Sequence, residues 1–175
     1  ATLNLNNAGQ ATLTVAAINN GSFDNCSIAT LSLSQTIFTC ANLGNNTVKL
    51  IGTDPSGNSA FCTTTVTVQD LIAPIARCKD ATVNLNAAGS VTVLASAVDN
   101  ASSDNCSFSL NMTPSTFTCA NLGINTVTLK ATDGSGNTGT CTAKITVKDV
   151  TKPVALCKNI TVFLNDVGKV TINPL

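Results

Sequence analysis

Cys141-Thr-Ala-Lys-Ile-Thr-Val-Lys148 alternates without interruption. Cys141, Ala143, Ile145 and Val147 fall on one side and Thr142, Lys144, Thr146 and Lys148 on the other, the period of two that marks a half-buried strand. Upstream, Val127, Leu129 and Ala131 share one side of Thr126-Val-Thr-Leu-Lys-Ala-Thr132. Asp133-Gly-Ser-Gly-Asn137 separates the two runs with residues that favour tight turns. Further out, Val83 and Leu85 alternate with Asn84 and Asn86, and Phe108, Leu110 and Met112 form another apolar row. Turn residues recur at 87–89, at Asp99-Asn100 and at Thr113-Pro114, and no stretch sustains a helical period. Short alternating strands at this spacing predict an all-β fold, a β-sandwich of immunoglobulin-like type.

The same unit occurs twice. Ala1-Thr-Leu-Asn-Leu-Asn-Asn-Ala-Gly9 returns as Ala81-Thr-Val-Asn-Leu-Asn-Ala-Ala-Gly89, and Phe38-Thr-Cys-Ala-Asn-Leu-Gly44 returns as Phe117-Thr-Cys-Ala-Asn-Leu-Gly123. A third copy opens at Ile160-Thr-Val-Phe-Leu-Asn165. A long repeat of this fidelity predicts a tandem array: repeat 1 over 1–72, repeat 2 over 73–151 and the start of repeat 3 over 152–175. Repeat 1 lacks its first residues and repeat 3 stops early, so the sequence reads as a piece of a longer chain. The linkers Asp70-Leu-Ile-Ala-Pro74 and Asp149-Val-Thr-Lys-Pro153 are short and end in proline, which favours extended backbone. Without a Gly/Ser spacer, the repeats should stand end to end as a semi-rigid rod.

Only 10% of the residues are charged, the net charge is zero, and His, Trp and Tyr are absent. Such a chain has no electrostatic footprint for nucleic acid or an anionic membrane. Its apolar runs are too short for membrane insertion. Every acidic residue is Asp. With no His or Glu, the usual acid/base groups are missing and nothing activates the many Ser and Thr hydroxyls, so the chain reads as non-enzymatic.

The eight cysteines recur four per repeat, with no CxxC pair and no His to complete an ordinary zinc site. Disulfides are the reading that fits, and they imply an oxidising, extracellular or cell-surface setting. Each unit has few large side chains, with Phe38 or Phe117 at its centre, so covalent cross-links would compensate a thin core. The expected pairing is Cys26–Cys40, Cys106–Cys119 and Cys78–Cys141, leaving Cys62 and Cys157 unpaired. The competing scheme pairs Cys62 with Cys78 and Cys141 with Cys157 across the linkers.

The run Thr132-Asp-Gly-Ser-Gly-Asn-Thr-Gly-Thr-Cys141, with its following strand and Asp149 to Pro153, resembles the end of a hyalin (HYR) repeat. The four-cysteine version, with Cys157-Lys-Asn-Ile-Thr-Val162 and the Phe-Thr-Cys-Ala-Asn-Leu-Gly block, is similar to the HYR-like repeats of large surface proteins from gliding bacteria. The resemblance spans the whole chain. It implies an immunoglobulin-like fold, a cell-surface setting and a role in adhesion.

Calcium is the cofactor the sequence suggests. Asp99, Asn100 and Asp104 lie in one oxygen-rich loop, which suits a hard cation but equally suits a turn whose side chains cap their own backbone. A second set, Asp70, Asp133 and Asn137, would meet at the junction if the turn at 133–137 faces the preceding linker. Asn-x-Ser/Thr sequons and outward Thr rows follow from composition and strand propensity. The sequence therefore predicts a load-bearing adhesive stalk or filament whose partners include neighbouring repeats. The alternatives are a passive spacer in a secreted multidomain enzyme, or repeats whose surface itself binds a glycan or protein ligand.

Overall fold

The computed structural model describes residues 1–172. Repeat 1 comprises β1 (Thr2–Asn4), β2 (Gln10–Thr12), a four-residue helix α1 (Val15–Ile18), β3 (Thr30–Leu33), β4 (Ile37–Thr39), β5 (Gly44–Thr53) and β6 (Ser59–Gln69). Repeat 2 comprises β7 (Ala81–Asn84), β8 (Ser90–Thr92), β9 (Phe108–Thr113), β10 (Thr116–Thr118), β11 (Gly123–Asp133) and β12 (Thr138–Lys148). Among the described residues α1 is the one α-helix, and strand periodicity did not foretell it. Residues 149–172 form no strand, but Asn165 closes the same turn on Lys169 that Asn6 and Asn86 close on Gln10 and Ser90.

Each repeat pairs a four-stranded sheet with a two-stranded one. The orders are β1-β6-β5-β3 with β2-β4, and β7-β12-β11-β9 with β8-β10. The first strand of each large sheet runs parallel to the last and the other neighbours run antiparallel, which is an immunoglobulin-like sandwich. Side chains alternate as their sequence requires. Val127, Leu129 and Ala131 of β11 and Ala143, Ile145 and Val147 of β12 are buried, while the lysines between them face solvent. Phe117 sits fully buried among these residues, and Phe38 does the same against Val48, Val66 and Val68 in repeat 1.

The chain course decides which cysteines can meet. β3 starts beside the turn at Asp54, since Thr30 pairs with Thr53. β4 ends at the opposite end, where Thr39 pairs with Gln10 beside the Gly9 turn. Residues 27–40 therefore run the length of the sandwich in one direction, crossing from one sheet to the other on the way. At about 3.3 Å per residue this carries Cys26 and Cys40 far apart. The expected Cys26–Cys40 and Cys106–Cys119 bridges do not form, and the reason is this one-way path. Cys40 is instead bonded to Cys106 of the next repeat, with Cα atoms 5.7 Å apart. Cys78 is bonded to Cys141, with Cα atoms 5.9 Å apart, tying the entering segment of repeat 2 to β12. Cys26, Cys62, Cys119 and Cys157 are unpaired and exposed.

Candidate metal centre at the repeat junction

Asp70 follows β6 and opens the linker. Asp104 lies in the loop before β9. Asp133 closes β11 at the turn into β12. The fold brings these three carboxylates to one point, with an oxygen of each within 4.8 Å of the others. Asp70 and Asp133 are only 3% and 7% exposed.

The surrounding hydrogen bonds hold the three groups in place. Asp133 accepts from the backbone N–H groups of Ser135 at 2.9 Å and Asn137 at 2.8 Å, and from the Asn137 amide at 2.8 Å. The same Asn137 amide donates to the Asp70 carbonyl at 3.0 Å, locking the turn against the linker. Asp70 accepts from Ile72 N–H and from the Asn105 amide, each at 3.1 Å. Asp104 accepts from Cys106 N–H at 3.2 Å. Each of these donors is a neutral amide, so none offsets the charge of the cluster. At 4.8 Å, two unit charges in an effective dielectric near 20 repel by about 3 kcal/mol.

Three buried oxygens here have no hydrogen-bond partner: Asp70 Oδ2, Asp104 Oδ1 and Asn105 Oδ1. Orphaned buried acceptors are costly and call for an explanation. The Asn105 amide nitrogen is spent on two acceptors, Asp70 and the Asn6 carbonyl, which fixes its oxygen as the atom left over. The donor set is all oxygen, without His or thiolate, and suits calcium or magnesium better than a softer metal. The residues thus fit a hard divalent cation. Asp70, Asp104, Asp133 and Asn105 would hold it, and the cation would supply the positive charge that the cluster lacks.

The structure regroups the residues picked from sequence. Asp70 and Asp133 stand together as the junction set predicted, but Asn137 serves as an amide donor that orients them. Asp104 leaves its loop set and joins them. Asp99 and Asn100 form a turn instead. Asp99 accepts from Ser102 N–H at 3.1 Å and Ser102 Oγ at 2.5 Å, and Asn100 N–H donates to the Arg77 carbonyl at 2.9 Å. The Ser102 hydroxyl holds the Asp99 carboxyl below its ordinary range, against the opposing effect of desolvation. Asn105 was missed as a site residue because an Asn in an Asn/Ser-rich loop carries no signal of its own.

The bridge lies beside this cluster. Cys40 Sγ is 3.4 Å from the Asn105 carbonyl, and Gly9 packs between them. A Cβ on Gly9 would fall 2.6 Å from that carbonyl and 2.8 Å from Cys40 Sγ, and Gly9 has φ +68°. Only glycine lets the two repeats approach this closely.

No protein-family model and no curated protein matches the chain in sequence. Among solved structures it aligns with a protocadherin gamma-B4 extracellular domain at 15% identity and TM-score 0.36, over 84% of this chain and 31% of that one. It aligns with fibronectin(III)-like modules of Clostridium thermocellum CbhA at 12% identity and TM-score 0.32, over 90% and 94%. It also aligns with human mucin-like protocadherin EC1-2 at 10% identity and TM-score 0.36, over 85% and 96%. The chain spans about a third of the length of the first of these. The fold assignment itself rests on the strand order and register of this chain. Among the described residues, no helix is long and apolar enough to cross a membrane.

Proposed function

We propose that this chain is a segment of an extracellular adhesive stalk, whose repeats are held at a fixed angle by a disulfide and a calcium ion at each junction. One observation carries the reading: the Cys40–Cys106 bridge and the Asp70/Asp104/Asp133 cluster sit at the same junction. A passive spacer needs neither. Two disulfides support an oxidising compartment. The role is mechanical rather than catalytic, holding a binding end away from its anchor. The HYR-like resemblance supports a surface protein of the kind found in gliding bacteria, and a glycan or protein ligand would be gripped elsewhere.

Calcium binding tests it. Extracellular modules bind calcium at about 10⁻⁴–10⁻³ M, so several millimolar ion should stabilise the folded state by roughly 1–2 kcal/mol. Melting is compared in chelator and in 5 mM calcium, for the native chain and for Asp104→Ala. A rise of several degrees that the variant loses is expected. No shift in either would remove the cation from the proposal.

A further inference from the structure

The two fastenings of the junction share one short piece of chain. Asp104 and Asn105, which carry two of the unpaired buried oxygens, stand immediately before Cys106, which carries the bridge. We infer that the cation site and the Cys40–Cys106 bridge are coupled: reducing the bridge lowers the affinity for calcium, and bound calcium holds the bridge oxidised. This coupling rests on the calcium reading of the site and adds what regulates it.

The loop before β9 is pinned on either side of these two residues. On one side Ser103 exchanges two backbone hydrogen bonds with Ile75, its N–H donating at 3.1 Å and its carbonyl accepting at 2.8 Å. Ile75 belongs to the segment entering repeat 2, so this pin fixes the loop only within its own repeat. On the other side Cys106 is bonded to Cys40 of repeat 1. Cys40 Sγ lies 3.4 Å from the Asn105 carbonyl, so the bridge packs directly on a residue of the site. The Asn105 amide adds two weaker ties to repeat 1, to Asp70 Oδ1 at 3.1 Å and to the Asn6 carbonyl at 3.3 Å. The site draws Asp70 from repeat 1 and Asp104 and Asp133 from repeat 2, so its oxygens meet only while the repeats keep their register. Among the described residues the bridge is the one covalent tie between the repeats besides the linker.

Charge sets the sign of the coupling. With the bridge formed, Asp104 is kept beside Asp70 and Asp133, and three carboxylates without a cation repel one another. Asp70 and Asp133 are buried and Asp70 Oδ2 has no hydrogen-bond partner, which leaves that repulsion poorly screened. With the bridge reduced, the loop is free to carry Asp104 away, and the repulsion falls. A bound cation reverses the preference, because it is attracted by the assembled cluster and loses a ligand when the loop leaves. Both effects make the cation-free bridge the easier one to reduce.

Reduction changes no ligand atom of the site. It loosens the chain that carries two of them, and losing support of this kind costs metal sites about 10–100-fold in affinity. Linkage requires the same factor in the other direction. As calcium saturates both forms, the midpoint of the bridge should therefore move by about 30–60 mV toward reducing potentials, at about 30 mV per tenfold. Cys78–Cys141 serves as the internal reference, since it lies within repeat 2 and neither of its cysteines adjoins a site residue in the chain.

The reductant is a dithiol such as dithiothreitol. It gives two electrons and two protons to the bridge, Cys40 and Cys106 become thiols, and the dithiol closes into its own disulfide. Cys40 and Cys106 are half-buried rather than enclosed.

The test uses the full chain with both bridges intact and its four exposed thiols alkylated beforehand. The chain is equilibrated in dithiothreitol buffers of graded potential, with saturating calcium chloride or with chelator at matched ionic strength. Thiols freed at each potential are tagged and assigned to their cysteines by peptide mass. Calcium is expected to move the Cys40–Cys106 midpoint by about 30 mV or more and the Cys78–Cys141 midpoint far less. Asp104→Asn keeps the shape of the side chain and should abolish the shift. Calorimetric titration with calcium chloride gives the reciprocal measurement, in which the native chain should bind about tenfold more tightly than Cys40→Ser with Cys106→Ser. Should that variant fail to fold, the midpoints of the native chain decide alone. If the native chain binds calcium but its midpoints are equal in calcium and in chelator, or both bridges shift alike, the coupling is overturned and the cation site stands. Equal affinities in the native and folded double-serine chains overturn it in the same way. No calcium binding by the native, oxidised chain removes the site, and the coupling with it.

Discussion

Cys40 and Cys106 are bonded to each other although each has another cysteine closer in sequence, and their bond crosses from one repeat to the next. It encloses the linker, β5 and β6 within a covalent loop. Two sandwiches that would otherwise share a five-residue hinge are thereby fixed at two points.

Breaking that bridge should uncouple the repeats. Closing a loop between positions 66 residues apart contributes about 4 kcal/mol by chain entropy. Cys40→Ser with Cys106→Ser should lower stability by about 2–4 kcal/mol and broaden the interdomain distance distribution. Denaturant unfolding followed by small-angle scattering checks both. A stability change without a change in interdomain distances would mean that the linker and the Asn137 contact alone hold the angle.

The core depends on one aromatic per repeat. Phe117 is fully buried, so Phe117→Ala should cost about 3–5 kcal/mol and unfold repeat 2 first. Hydrogen exchange should then report early loss of protection in β8 and β10 while β2 and β4 stay protected.

Gly9 and Gly89 form a matched pair. Both have positive φ, +68° and +73°, so an alanine at either carries the left-handed backbone cost of about 1–2 kcal/mol. At Gly89 the added Cβ meets Cys119 Sγ alone, whereas at Gly9 it also meets the Asn105 backbone across the junction. Gly9→Ala should therefore lower the melting temperature more than Gly89→Ala, by several degrees. Equal losses would mean that the repeats approach less closely than the bridge implies.

Acid should loosen the turn at Asp99. Its carboxyl is held below 3.8 chiefly by the Ser102 hydroxyl. A depressed folded-state value contributes stability that is present above 3.8 and lost as pH falls through the lower folded value. Asp99→Asn should flatten the pH dependence of unfolding below about pH 4 and leave it unchanged near neutrality. An unchanged acid limb in that variant would assign the loss to other carboxylates.

The sandwich was legible in the sequence because its long strands alternate cleanly. Ile145 between Lys144 and Thr146 leaves only one arrangement that buries it. The Cys78–Cys141 bridge was expected and is present, but the partners of Cys40 and Cys106 were not legible, because the thirteen residues between Cys26 and Cys40 say nothing about direction. Had residues 27–40 turned back, Cys26 and Cys40 would lie side by side, and it is the crossing from β3 to β4 that separates them. The metal cluster was half legible. Asp70 and Asp133 are marked by the turn that faces the linker, but Asp104 was grouped with Asp99, its neighbour in the chain. The backbone between them turns at Ala101, which has φ +60°, and points the two carboxylates to different places.

The order of the bonded cysteines along the chain is 40, 78, 106, 141, with the first joined to the third and the second to the fourth. The two covalent loops overlap. Every peptide bond from Cys40 to Cys141 lies inside at least one of them. A protease that cuts once anywhere in that span, including the linker, leaves the two pieces covalently attached. Severing the chain there requires two cuts or a reductant.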